Sequence, residues 1–139
     1  MLDTLLREAH MASTFFLCGL IWCIQLVHYP SFRFVHHDRF VEFERFHTRA
    51  ITWIAGPAML LELLTALLLL GHLSPGWDIL NVASVATIWV STWLLSVPCH
   101  TALAKGFDAA IIDRLVQSNW PRTIVWSLRA LAWICFAAS

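Results

Sequence analysis

The stretch HYPSFRFVHHDRFVEFERFHTRAITWIAGPAMLLE, residues 28–62, decides the fold. It closes one hydrophobic segment, crosses a turn region holding four of the seven histidines (His28, His36, His37 and His47), and opens a second hydrophobic segment containing Glu62. A proline supplies no helical N–H and disfavours helix in the residue before it, so Pro30 is expected to stop the first helix just after His28. Asp38 offers an N-cap for the next. From there Phe40, Val41, Phe43 and Phe46 run unbroken into Ile51, which predicts a long second helix with an amphipathic lead-in. Gly56–Pro57 is expected to kink it one turn from Met59 and Glu62.

Outward from this stretch the chain is strongly apolar. Of its 139 residues 59% are hydrophobic and 13% charged, with mean hydropathy +0.69, outside the usual soluble range. Crossing a bilayer takes about 20 apolar residues per helix. Four segments qualify, at about 11–29, 51–70, 79–99 and 120–138, and the whole chain reads as one four-span domain. The fold class expected is all-α, an integral membrane antiparallel four-helix bundle in a lipid bilayer. Residues 1–10 extend the first helix into the headgroup region, and the first span, with Asp3 and Glu8 before it and no small-residue cleavage site after it, is expected to stay as a helix.

Span three is rich in small and hydroxyl residues, which suits close packing at the centre of a bundle. After Gly106, Asp108 can cap a short helix whose Ile111, Ile112, Leu115 and Val116 share a face, so an interfacial helix is expected between spans three and four. Ser118 or Asn119 then caps span four, with Pro121 in its first turn. Arg33, Arg39, Arg45 and Arg49 lie in the first connection and Lys105, Arg114 and Arg122 in the third, against Arg7 alone in the amino-terminal tail. The positive-inside rule places those connections in the cytoplasm and both termini outside it.

Zero net formal charge leaves no field to attract nucleic acid. Cys18, Cys23, Cys99 and Cys135 all fall in spans and form no CxxC pair, so they read as small apolar packing residues.

An antiparallel bundle brings the ends of helices one and three and the starts of helices two and four to one membrane face, where His28, His47, His100, Asn119 and Arg122 all fall. Three converging imidazoles suit copper, iron or zinc, and two can ligate a haem axially. Gln25 and Glu44, each one turn before a histidine, are placed to orient His28 and His47. The competing reading makes these histidines interfacial anchors. Glu62 and Arg129 are the deepest ionisable residues, where a charge costs at least ~2.5–3.5 kcal/mol. Either they form a structural ion pair, or Glu62, with Met59 beside it, serves a polar pocket. Trp53, Trp89, Trp93, Trp126 and Trp133 lie deep enough to line a cavity or pack the bundle.

The segments QLVHYPSF (25–32), FHTRAITWIAGPAMLLE (46–62) and GFDAAIIDRLVQSNWPRTIVWSLR (106–129) resemble a family of small bacterial four-helix integral membrane proteins. More distantly the chain is similar to the anthrone-oxygenase-like membrane proteins, which often carry Asn-x-x-Arg near the start of the last helix, here Asn119 to Arg122. The resemblance implies a bacterial inner membrane location and oxidation of a polycyclic phenolic substrate in a pocket open to the cytoplasmic leaflet. The functional expectation is thus an oxidoreductase or cofactor-binding protein with a site built from His28, His47 and His100, and Asn119 and Arg122 holding an anionic or carbonyl group. The alternative is a non-catalytic accessory subunit of a respiratory or photosynthetic complex, with partner subunits or further copies of itself packed through its tryptophans.

Overall fold

The computed structural model describes the backbone of residues 1–138 and the side chains of residues 1–135. Among the described residues the chain is all helical: α1 Leu2–Phe34, α2 His37–Leu68, α3 Pro75–Leu103 and α4 Ala109–Ala138. Connections of a few residues force each helix to run antiparallel to the one before it. His10, near the start of α1, meets Thr65 at the end of α2 and Asn81 near the start of α3. At the opposite end of α1, His28 meets His47 of α2 and Tyr29 meets His100 of α3. α1 lies against α2 and α4, α3 lies against α4, and the seam between α2 and α3 is the loosest of the four.

Pro30 does not stop α1. The helix continues as α through Ser31 and as a 3₁₀ turn to Phe34, because a π turn at Ile24–His28 precedes the proline. There the Tyr29 N–H reaches back five residues to the Ile24 carbonyl, and the wider turn makes room for the proline ring. The amino-terminal residues belong to the same helix, and His10 is fully buried within the bundle. Asp38 makes no capping bond; α2 enters through a 3₁₀ turn at His37–Arg39 and passes Gly56–Pro57 as continuous helix.

No separate interfacial helix stands before α4. Asp108 accepts from the N–H groups of Ala110 and Ile111 and starts one 30-residue helix, so Ser118 and Asn119 are interior positions, as is Pro121. Ile112 and Leu115 explain the difference. Both are completely buried against Phe32, Phe40 and Leu103, so this apolar face packs into the bundle instead of lying on a membrane surface.

Three helices, α1 to α3, are long and apolar enough to cross a membrane. α4 is equally long but carries Asp113, Arg114, Arg122 and Arg129, and is not among the three. The polarity of the bundle is inverted relative to a water-soluble one. Leu26, Trp53, Leu64, Trp93, Leu94, Leu128 and Leu131 face outward, whereas His10, Glu44, Glu62, Asn119, Arg122 and Arg129 are buried. Of the deep tryptophans, Trp89, Trp93 and Trp126 line a cavity and Trp133 is buried, whereas Trp53 faces outward and is not among the residues lining that cavity.

Candidate functional site

Glu44 sits on the inward face of α2 and is fully buried. Its Oε1 lies 2.6 Å from His100 Nδ1, on α3. A carboxylate only accepts, so this nitrogen carries the proton and Nε2 of the neutral ring is left as an acceptor. The Tyr29 hydroxyl, 3.1 Å away on α1, donates to it. Glu44, His100 and Tyr29 thus form a hydrogen-bonded run across three helices, and such a carboxylate–imidazole pair fixes both the tautomer and the ring orientation.

The run opens onto a cavity of about 580 Å³ at the loose seam between α2 and α3. Tyr29, His100, Thr92, Ser96 and Arg122 form its polar side; Leu17, Ile21, Met59, Trp89 and Trp126 line the remainder. The mouth lies between Thr52, Ala55 and Gly56 of α2 and Trp93, Val97 and Thr101 of α3, on the outward side of the bundle. At Gly56 the mouth has space to spare: a Cβ there would meet only the Thr52 methyl, at 3.9 Å.

Arg122 is held from below. Its guanidinium donates to the Thr92 hydroxyl (3.3 Å) and to the Asn119 side-chain carbonyl, and the Tyr29 hydroxyl also faces it. The Asn119 amide in turn donates to Gln25 Oε1 at 2.8 Å, and the Gln25 amide donates to the Val116 carbonyl at 3.1 Å. Asn119 therefore positions Arg122 and lies behind the cavity wall.

The structure brings His28, His47 and His100 into one cluster, though their nitrogens do not converge on a common point. His28 Nε2 and His47 Nδ1 bond each other at 2.7 Å, and His100 has both nitrogens engaged by Glu44 and Tyr29. Among the described residues no group of three or more His, Cys, Asp or Glu side chains is arranged to hold a metal ion. The direct contact of His28 with His47 also leaves no space for a haem between them. Gln25 and Glu44 do not orient the histidines on their own helices; their partners are Asn119 and His100 on others.

Glu62 lies outside the cavity, behind the Trp126 indole, which donates to Oε2 at 3.1 Å. Arg129 reaches Glu62 Oε1 at 3.2 Å, and the Thr14 hydroxyl donates to the same oxygen at 2.8 Å. Arg129 also donates to the Asn81 carbonyl at 2.9 Å and to Ser84, and lies 3.0 Å from His10 Nε2. Met59 faces the cavity, one turn away from this pair. Sequence reasoning missed Tyr29, Ser96 and His10. For His10 a signal was present, because its spacing to Thr14, Leu17 and Ile21 continues the buried stripe of α1.

Comparison of the chain with protein-family models, with curated proteins and with solved structures returned no match.

Proposed function

We propose that this chain is an integral membrane protein that takes a lipid-soluble small molecule into the seam between α2 and α3 and converts it by general acid–base proton transfer. The observation that carries this reading is the Glu44–His100–Tyr29 run, buried at its carboxylate and facing the cavity at its hydroxyl. A positioned imidazole next to a reacting oxygen is the usual means of general acid–base catalysis. A cavity of this size holds an ordinary small-molecule ligand.

The inverted polarity supports the bilayer as solvent. Buried ionisable groups inside a bundle with outward leucines suit lipid, where such groups face inward. α4 then crosses as the fourth span, presenting Ile124, Leu128 and Leu131 outward and Arg122 and Arg129 inward. The Lys and Arg distribution supports a bacterial inner membrane orientation with both termini outside the cytoplasm and Tyr29 towards the cytoplasmic leaflet. A mouth that opens sideways between α2 and α3 would admit the molecule directly from the hydrocarbon.

Of the oxidoreductase expectation, the geometry supports the proton-handling half. Deprotonation of a phenol-like oxygen is the step that the Tyr29–His100 pair would serve, the proton passing to His100. The three histidines do not fit a haem, copper or iron site, and no step is assigned to one.

The test is a comparison of organic extracts of membranes from cells making the parent, Tyr29→Phe or His100→Gln chain, by untargeted mass spectrometry. The parent should deplete one lipid-soluble compound that both variants let accumulate. Identical extracts would refute the reading. Trp53 and Trp93, 75% and 61% exposed in mid-helix, favour a second reading as an accessory subunit. That reading requires co-purification with partners at fixed stoichiometry.

A further inference from the structure

Two arginines are buried in this bundle, and their surroundings differ. Arg129 has the Glu62 carboxylate as its counter-ion. Arg122 is 6% exposed and, among the described residues, no carboxylate lies within ion-pair distance of it. Its partners, Thr92 and Asn119, are neutral. A guanidinium taken out of water without a compensating charge is strongly disfavoured.

A second observation points the same way. Among the described residues Arg122 Nε, Ser96 Oγ and Trp89 Nε1 are buried without a hydrogen-bond partner, and all three belong to residues lining this cavity. All three atoms bear a proton to donate, and Arg and Trp can only donate. Buried donors left unpaired are uncommon and call for a partner. A guanidinium without a carboxylate partner on the cavity lining, with unpaired donors on two further lining residues, points to an oxygen anion as the missing partner. The rest of the lining is apolar, so that oxygen belongs on a hydrophobic body.

We propose that the occupant is a lipid-soluble acid: a molecule with one acidic O–H on an apolar body, which enters uncharged from the bilayer and is held as its anion. This rests on the cavity being the ligand site of the proposed function and names its ligand class. The acid's O–H bond breaks and its proton passes to His100 Nε2, directly or by Tyr29 accepting it while handing on its own. The imidazolium stays paired with Glu44 and the oxyanion pairs with Arg122, with Ser96 and Trp89 completing its hydrogen bonds. No electrons move. Arg122 gains a counter-charge in direct contact, which Glu44, reaching it only through His100 and Tyr29, does not give.

The experiment uses the full chain in nanodiscs, with oleic acid and oleyl alcohol as probes that share a tail and differ in charge. Bound probe is counted by native mass spectrometry, and affinity is read from quenching of tryptophan fluorescence. Oleic acid should bind once per chain and about tenfold or more tighter than the alcohol, as expected for a charge-assisted bond. Arg122→Gln should abolish that preference, Ser96→Ala should reduce it several-fold with the charge intact, and Gly56→Phe should weaken both probes by filling the mouth. If Arg122→Gln does not fold, the Ser96 and Gly56 variants decide the matter. Equal affinity for acid and alcohol, a preference that survives Arg122→Gln or Ser96→Ala, or unchanged binding in Gly56→Phe would each overturn the proposal. So would a retained phospholipid that excludes the acid, since a phosphodiester has no proton to give. Binding is read without turnover, so the two readings fail separately: preference with unchanged membrane extracts keeps the site and refutes the reaction, and altered extracts without preference do the reverse.

Discussion

Pro30 and Pro98 occupy the same place in two different helices: each stands two residues after a five-residue π turn, Ile24–His28 in α1 and Thr92–Ser96 in α3. In both, the residue before the proline donates its N–H five residues back, Tyr29 to Ile24 and Val97 to Thr92. In α3 the buried stripe follows suit, stepping by five from Ser91 to Ser96 in place of the helical three or four. The π turn of α3 carries Thr92 and Ser96, and both line the cavity. Deletion of the outward-facing Leu94 should therefore restore an α-helical step at a cost of about 1 kcal/mol or less, in the range of surface changes, while abolishing cavity binding. Deletion of Ala86, in regular helix, should throw Asn81 and Val85 out of register and unfold the protein. Thermal unfolding and probe binding of the two deletions check this.

Removing one partner of a buried ion pair typically costs about 3–5 kcal/mol because the other charge is stranded. Glu62→Gln should fall in that range, since Arg129 is left with only neutral partners, and Arg129→Met should do the same to Glu62. The double variant should be less destabilised than the two singles together. Denaturant unfolding in detergent of the four-member cycle measures the coupling, and strict additivity would show that Glu62 and Arg129 do not act as a pair.

The helices themselves were legible because hydrophobic length and short connections dictate them, and the paired depth of Glu62 and Arg129 was legible because charges in apolar spans are few. Helix ends were not. Periodicity does not announce a π turn, so Pro30 reads as a stop and the spans come out short; the interfacial helix was inferred from an apolar face whose true partner, around Phe32 and Leu103, lies far away in sequence. The same physics hid the site. A helical repeat locates neighbours on one helix face, and Glu44 one turn from His47 was the natural pairing, yet tertiary packing delivers Glu44 to His100, 56 residues away. The cavity arises from the looseness of the α2–α3 seam, which no local pattern records.

His10 ties α1 to three other helices through Thr65 at 2.7 Å, Asn81 at 2.9 Å and Arg129 at 3.0 Å. Each partner is buried; Nδ1 bonds Thr65, and Nε2 either accepts from Arg129 or donates to Asn81, so removing the ring strands groups on both sides. His10→Ala should destabilise by about 2–4 kcal/mol, from unsatisfied polar groups at about 1–3 kcal/mol each and a cavity beside Trp133. Thermal unfolding in detergent checks it. His72→Ala, on a half-exposed surface residue paired with Asp3, should change stability by less than about 0.5 kcal/mol.

Glu44 touches neither the cavity nor any ligand within it, so its role is to position His100 and to stabilise the imidazolium that forms there. Glu44→Gln keeps the shape but can present an N–H towards His100 Nδ1, which favours the tautomer with the proton on Nε2 and removes the acceptor that Tyr29 faces. Turnover of the accumulating membrane compound should fall about 10²-fold or more, within the range for general acid–base catalysis, and the oleic acid preference should weaken with it, because a protonated Nε2 no longer takes the acid's proton. Nitrogen-15 chemical shifts of His100 distinguish this from simple structural damage. The parent should show a protonated Nδ1 and Glu44→Gln a protonated Nε2, with helix content unchanged; the same tautomer in both would end the assignment of Glu44 as the residue that orients the ring.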